Sequence, residues 1–214
     1  MIVANAPWVW QPWSVELVRC AAGVVAADGG ANHLARIGVR PAAVVGDLDS
    51  IRATVRAWIG EDRCVLRDDQ EHTDLHKAFA YLVAERQARR AIVLAATGGR
   101  QDHALEALGV LARWAGRGVF EMRDGSCRIV PVRRQRVFAT FPQQTVSLLP
   151  WGRCAGVRTN GLHWELADEA LDVTRRTGVS NRAVGSQVKV RVRSGTLLVF
   201  LHQSEPSAGA VAAR

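Results

Sequence analysis

Four short stretches in the first half of the chain gather carboxylates, glycines and polar side chains: Asp28-Gly29-Gly30-Ala31-Asn32, Gly46-Asp47-Leu48-Asp49-Ser50, Thr73-Asp74 and Gly98-Gly99-Arg100-Gln101-Asp102-His103. Aspartates brought to one place repel one another and raise one another's pKa unless a cation sits among them. Mg2+ answers that need, because it takes oxygen ligands and binds through a few carboxylates together with water and substrate phosphates. Glycine lets the backbone approach a phosphate group closely, and Arg100 offers a planar, permanently charged fork to phosphate oxygens. The set points to chemistry on a magnesium nucleotide. Asp47 and Asp49 are two residues apart, so in an extended segment both would project to one side and share a metal or its water shell. Lys77, one turn beyond Asp74, would reach the same anion. Taken singly, an aspartate before a helix is often only a cap and a Gly-Gly pair only a turn, and His103 could equally bind a ligand or cap its helix. Four such clusters in one half-chain weigh against that plainer account.

The elements around the clusters say how they would meet. Apolar runs at 24–27, 42–45 and 91–96 each stop at a cluster and are each followed by a segment with helical spacing. Short Val- and Ile-rich runs alternating with helices imply a parallel sheet covered on both faces, and in such sheets ligands bind outside the carboxyl ends of the strands. The aspartates are thereby predicted to converge on one rim. A first strand is expected at 1–4 and another at 63–66. Helices are expected at 14–20, at 31–37, at 50–58 with Ser50 as N-cap, at 73–86 from the spacing of Leu75, Phe79, Leu82 and Val83, and through Leu105, Leu108 and Leu111. Trp8, Trp10 and Trp13 stand between Pro7 and Pro12 in a segment that reads as irregular, either packed on the sheet or forming a stacking lid for a base.

Near residue 118 the rhythm changes. Short alternating strands are expected at 119–122, 128–132, 137–141, 145–149, 162–166, 187–193 and 196–201, without helices between them, which reads as an antiparallel sandwich or barrel. The expected fold class is α/β, a Rossmann-like N-terminal parallel sheet with helices on both faces, followed by a C-terminal antiparallel β-sandwich. Residues 1–118 would form the ATP- and Mg-binding domain and 119–203 the second domain. Residues 204–214, small and polar, would be a disordered tail.

Composition bounds the rest. The 214 residues, 48% hydrophobic and 22% charged, suit a globular chain with a sizeable core rather than a membrane-embedded or disordered one. No stretch reads as a membrane span, and Met1-Ile2-Val3-Ala4-Asn5-Ala6-Pro7 lacks the basic region of a secretory signal, so a cytoplasmic location is expected. Cys20, Cys64, Cys127 and Cys154 lie far apart, with neither zinc nor redox spacing, and are expected to be buried thiols. The net charge of +8 belongs to the second half of the chain. There Lys189, Arg191 and Arg193 alternate with Val188, Val190 and Val192, the pattern of a strand with one wet face rather than of a nucleic-acid site. Neither Gly-x-x-x-x-Gly-Lys-Ser/Thr nor Gly-x-Gly-x-x-Gly occurs, so a nucleotide would be held by neither common phosphate loop.

The clusters, with His72-Thr73-Asp74-Leu75-His76-Lys77-Ala78 as the third, follow the order and rough spacing seen in thiamine pyrophosphokinases. Thr145-Val146-Ser147-Leu148-Leu149-Pro150, Thr159-Asn160-Gly161-Leu162-His163-Trp164-Glu165-Leu166 and Gly178-Val179-Ser180-Asn181 resemble that family's thiamine-binding domain, so the resemblance spans about residues 1–201. It implies a homodimer with its active site at a cleft between domains and subunits. It also implies transfer of the β,γ-pyrophosphoryl group of ATP to the hydroxyl of thiamine, giving thiamine diphosphate and AMP. By motif match Asp47, Asp49 and Asp74 would hold Mg2+, with Asp28 and Asp102 close by. Arg100 would contact phosphate, and Asp28, Gly29, Gly30, Asn32, Lys77, Gly98, Gly99 and His103 would belong to the nucleotide site. Ser180 and Asn181 would lie at the thiamine pocket. Arg182 stands where an acidic residue is common, and the Trp-rich segment has no counterpart. A pyrophosphokinase for another primary alcohol, such as a hydroxymethyl pterin, and a catalytically silent binding protein are the alternatives.

Overall fold

The computed structural model describes residues 1–203, so the expected tail at 204–214 lies outside the described residues. The described residues form two compact units, which divide between Asp124 and Gly125.

The first unit is built on β1 (Ile2–Val3), β2 (Val25–Ala27), β3 (Ala43–Gly46), β4 (Cys64–Leu66), β5 (Arg90–Leu94) and β6 (Val119–Arg123). They lie in the order β4-β3-β2-β1-β5-β6, and every neighbouring pair is parallel. Parallel strands have both faces covered, which is why the runs feeding them are apolar throughout. Ile2, Val3, Ala26, Val44, Val45, Val93 and Leu94 are all buried. The helices between them are α1 (Pro12–Arg19), α2 (Gly30–Arg36), α3 (Ala53–Ile59), α4 (Asp74–Ala80) and α5 (Gln101–Trp114). A wider π turn at Tyr81–Glu85 continues α4, so the expected helix at 73–86 is present with a change of pitch in its last third.

The sequence-based expectations differ from the structure at four places in this unit. The strand at Val119–Arg123 pairs in parallel with β5, which carries the first unit six residues beyond the expected boundary at 118. Ser50 does not cap α3. The capping position falls at Arg52, because Ser50 is held in the preceding loop, its backbone N–H donating to Asp28 Oδ2 and its hydroxyl to Asp49 Oδ1. On α5 the buried stripe runs through Ala107, Val110 and Leu111, while Leu105 is 60% exposed. Cys20 is exposed rather than buried.

The three tryptophans pack. Trp8 meets Trp10 and Trp13 edge-on, with ring centroids 6.1 and 6.3 Å apart. All three lie against the core formed by Val3, Val18, Leu34 and Val44. The Trp10 indole N–H donates to the carbonyl of His33 and ties the irregular segment to α2.

The second unit is antiparallel throughout: β7 (Cys127–Val132), β8 (Gln135–Ala139), β9 (Thr145–Asn160), β10 (Ala167–Asp172), β11 (Gly178–Arg182), β12 (Gln187–Arg191) and β13 (Ser194–His202). The long β9 serves two sheets. Its first half pairs with β13 and β11, and β13 pairs with β7; its second half pairs with β10 and β12, and β12 pairs with β8. Gly152 at φ 78° and Gly156 at φ 65° supply the left-handed residues needed where one strand passes from sheet to sheet. Inward residues of both layers, among them Leu148, Val157, Leu171, Val188, Val190, Leu197 and Val199, form one core, as the expected sandwich requires.

The strand expected at 162–166 is absent apart from a single bridge from Leu162 to Ala183. The Glu165 carboxylate accepts the backbone N–H groups of Gly161 and Leu162 and the hydroxyl of Thr159, which curls the segment into a loop. β10 and β11 were not anticipated. Ala167–Asp172 has almost no apolar alternation, and Ser180, at φ 63°, interrupts the pleat of β11 at a register shift. Among the described residues no helix is long and apolar enough to cross a membrane.

Candidate active site

Strand order locates the site. From β1 the chain builds outward through β2, β3 and β4, then returns to place β5 on the other side of β1. The segments leaving β1 and β5 therefore diverge and open a crevice at the carboxyl ends of the strands. A cavity of about 580 Å3 lies there. Asn5, Ala6 and Pro7 after β1, Asp47 and Ser50 after β3, Ala96, Gly98, Gly99 and Arg100 after β5, and Thr73, Asp74 and Lys77 at the start of α4 all line it.

Three carboxylates converge here, Asp47 and Asp74 on the cavity wall and Asp28 buried outside the lining. Asp28, Asp47 and Asp74 each offer an oxygen, and the three oxygens lie within 4.8 Å of one another. Asp28 follows β2 in a left-handed conformation, φ 41°, with its backbone N–H on the carbonyl of Val45. It is only 1% exposed. Its Oδ2 accepts the backbone N–H of Ser50 at 3.0 Å, whereas its buried Oδ1 has no partner. Burial raises the Asp28 pKa, and the nearby charge of Asp74 adds to the rise. Burial also raises the Asp74 pKa, opposed by Lys77, whose ammonium lies 3.2 Å from Asp74 Oδ1. A bare buried carboxylate oxygen beside two further carboxylates is costly without a counter-charge, and one divalent cation supplies it. The donor set fits a hard, oxygen-seeking ion of the Mg2+ kind.

Gly46 makes the convergence possible. A methyl group at this position would lie 2.8 Å from Asp28 Cβ and 2.8 Å from Asp74 Oδ1, so only the absence of a side chain lets the two aspartates close over the end of β3.

The other expected site residues divide. Gly98, Gly99, Arg100, His103 and Lys77 line the cavity. Asp49 is outside the carboxylate group: Leu48, at φ 66°, breaks the extended geometry that would have aligned it with Asp47, and its Oδ1 accepts the Ser50 hydroxyl. Asp102 forms a two-point ion pair with Arg100, at 3.1 and 2.5 Å, which pulls its pKa down to about 2. Gly29, Gly30 and Asn32 do not line the cavity. A methyl group on Gly29 would lie 2.3 Å from the Asn5 side chain, and one on Gly30 would lie 2.1 Å from the carbonyl oxygen of Val3, so both glycines let α2 start hard against the segment leaving β1. The Asn32 amide bridges the carbonyl of Ser50 and the N–H of Arg52.

Sequence reasoning assigned no role to Asn5, Pro7, Gln70 or His72, all on the cavity wall. The signal for the first two was positional, since they directly follow the strand at which the sheet order reverses. His72 is oriented by a 2.5 Å contact between its Nδ1 and Asp69 Oδ2.

In the second unit Ser180 is exposed, with its backbone N–H on the hydroxyl of Ser147. Asn181 is 5% exposed, and its amide is spent on the loop at 161–165: Oδ1 accepts the N–H of Trp164 at 3.1 Å and of Arg182 at 2.8 Å, and Nδ2 donates to the carbonyl of Trp164 at 2.7 Å. The clamp fixes the backbone of Trp164, whose ring is 57% exposed against the edge of His163. Asn181→Ala removes three hydrogen bonds at a buried position and is expected to cost about 1–3 kcal/mol, read as a lower urea midpoint at unchanged m-value.

Two family models match the chain, "Thiamin pyrophosphokinase, catalytic domain" over residues 15–119 and "Thiamin pyrophosphokinase, vitamin B1 binding domain" over residues 128–197. Thiamine pyrophosphokinase 1 of Oryza sativa subsp. japonica is 26% identical over 205 residues, covering 82% of this chain and 76% of that protein. Thiamine pyrophosphokinase 2 of Arabidopsis thaliana is 27% identical over 193 residues, covering 77% and 69%. Among solved structures, thiamine pyrophosphokinase from Bacillus subtilis superposes with a TM-score of 0.80 at 20% identity, over 95% of this chain and 98% of that one. The enzyme from Candida albicans gives 0.81 at 16% identity, over 94% and 88%. At these identities the structural likeness speaks to the fold.

Proposed function

The chain belongs to the thiamin pyrophosphokinase family, and we propose that it transfers the β,γ-pyrophosphoryl group of ATP to the hydroxyl of thiamine, giving thiamine diphosphate and AMP. The observation that carries this reading is the convergence of Asp28, Asp47 and Asp74 on the crevice where the strand order reverses. In the reaction a bond forms between the hydroxyl oxygen and the β-phosphorus, the bridge from that phosphorus to the α-phosphate breaks, and the hydroxyl proton is lost. Such a transfer asks mainly for positioning and for charge neutralisation.

Asp28, Asp47 and Asp74 would hold Mg2+, which supplies charge neutralisation on the polyphosphate. Lys77, almost wholly buried and tied to Asp74, presents a fixed positive charge to the same cavity. Gly98-Gly99-Arg100 form the turn into α5, whose capping position makes no side-chain hydrogen bond. An anion would meet the positive end of this 14-residue helix there, in competition with Asp102 of the first turn, whose carboxylate takes the N–H of His103. Arg100, already on the wall, would exchange its carboxylate partner for phosphate oxygens. The exposed ring of Trp164 offers a π face of the kind that attracts a flat cation such as thiamine, and Asn181 holds it in place. A homodimer and a cytoplasmic location, both carried over from the resemblance and the sequence, complete the reading.

The test is AMP release from ATP and Mg2+ with and without thiamine, with hydroxymethyl dihydropterin in parallel. AMP that appears only with thiamine, in equal amount to thiamine diphosphate, is the expected result. Turnover with the pterin alone would move the protein to a sister activity, and silence with both would leave a binding protein.

A further inference from the structure

The second unit has a concavity of its own. About 500 Å3 in volume, it lies on the outer face of the β8-β12-β9-β10 sheet. Pairing register sets its floor. Arg191 stands directly opposite Arg158 on one neighbouring strand and Gln135 on the other, and Lys189, two residues along on the same face, stands opposite Asn160. The intervening Val188, Val190 and Thr159 point inward and are buried. Alternation alone therefore explains why these cations are wet. It does not explain why they face one another.

Like charges directly opposite on neighbouring strands destabilise a sheet, and no ion pair offsets them. Among the described residues Arg158, Lys189 and Arg191 take part in no ion pair. The one carboxylate on the wall, Glu165, is committed to the Thr159 hydroxyl at 2.6 Å and to the N–H groups of Gly161 and Leu162 at 2.6 and 3.0 Å. Two guanidinium forks and an ammonium, with the amides of Gln135 and Asn160 beside them, make a donor-rich hollow. Guanidinium groups bind phosphate oxygens in pairs. No aromatic side chain lines the hollow, which disfavours stacked nucleic-acid bases, and its concavity disfavours a flat lipid surface. Linked phosphates offer more oxygens than a single orthophosphate and would engage both forks with Lys189 alongside.

We propose that Arg158, Lys189 and Arg191 form a binding site for a diphosphate or triphosphate group on the outer face of this sheet. Every residue of the site belongs to the second unit, and its test involves neither thiamine nor turnover. Titration of the full-length protein with inorganic pyrophosphate in EDTA, followed by calorimetry, is expected to show one-site binding that weakens at least about tenfold in Arg158→Gln/Arg191→Gln. Pyrophosphate should raise the melting temperature of the parent protein and leave that of the variant unmoved. If the double variant does not fold, Lys189→Gln serves, with a smaller loss of affinity. ADP in competition identifies the source: displacement of pyrophosphate assigns the site to nucleotide-borne phosphates, no displacement to the free anion, and both leave it standing. Absence of pyrophosphate binding, equal binding by the double variant, or orthophosphate binding as tightly as pyrophosphate would overturn the proposal.

Discussion

Asp74→Asn is expected to lower thiamine-dependent AMP release by at least about a hundredfold, as loss of a ligand to a catalytic metal does, while Asp49→Asn is expected to lower it by less than about tenfold. The contrast follows from geometry. Asp74 sits in the first turn of α4, lines the cavity, and lies within reach of both Asp28 and Asp47. Asp49 belongs to the same short acidic run as Asp47, yet the left-handed backbone at Leu48 takes its carboxylate elsewhere. The amide of an Asp74→Asn variant keeps the shape and can still accept from Lys77, so the fold should persist. A near-parent melting temperature together with the loss of turnover separates a failed site from a failed fold. Asp28→Asn belongs with Asp74→Asn, because the unpartnered Oδ1 of Asp28 is the atom in greatest need of a counter-charge. If Asp49→Asn proves as damaging as Asp74→Asn, the metal site includes the residue that the sequence alone selects, and the assignment from geometry falls.

The site and the fold were legible in the sequence to different depths, and the reasons are physical. Two apolar runs, ending at Asp28 and at Gly46-Asp47, sufficed to place those carboxylates on one rim, because a parallel sheet leaves its loops nowhere else to go, whereas Asp74 follows a polar segment and carries no such signal. Which carboxylates come within reach of one another depends on single φ angles, at Asp28 and Leu48, and side-chain alternation is silent about a residue that leaves the alternating conformation. Asn32 and Asn181 show another limit. Each stands in a recognisable functional motif, yet each amide is consumed by backbone groups distant in the chain, of Ser50 and Arg52 for one and of Trp164 for the other. In the second unit the strands that escaped notice, β10 and β11, have few apolar side chains and are held by pairing with β9, which leaves no periodic trace in their own sequence.

Gly46→Ala is expected to lower turnover by at least about a hundredfold beyond any loss of stability, and Gly30→Ala to lower stability with turnover by the folded fraction little changed. Both positions are crowded, but by different partners. At Gly30 the added methyl group would fall 2.1 Å from the carbonyl oxygen of Val3 and 2.9 Å from that of Ala4, which are backbone atoms of the central strand and its exit. Neither can move without disturbing the sheet, so the cost falls on stability, about 1–3 kcal/mol or more, with turnover by the folded fraction little changed. At Gly46 the methyl group would meet Asp28 Cβ and Asp74 Oδ1, the second of which is the end of a side chain with a cavity to retreat into. An alanine at φ 159° beside Asp28 Cβ also costs some stability, but the larger effect is that the carboxylate group opens. Displacement of a reacting geometry by about 1 Å costs about a hundredfold in rate, and here two of the three ligands are pushed at once. Mg2+ titration of the two variants distinguishes the cases: Gly46→Ala should need a much higher Mg2+ concentration for whatever AMP release it retains, and Gly30→Ala the parent concentration at a lower melting temperature. Equal Mg2+ requirements in Gly46→Ala and the parent would mean that the carboxylates tolerate being parted, and that the cation is held by other groups.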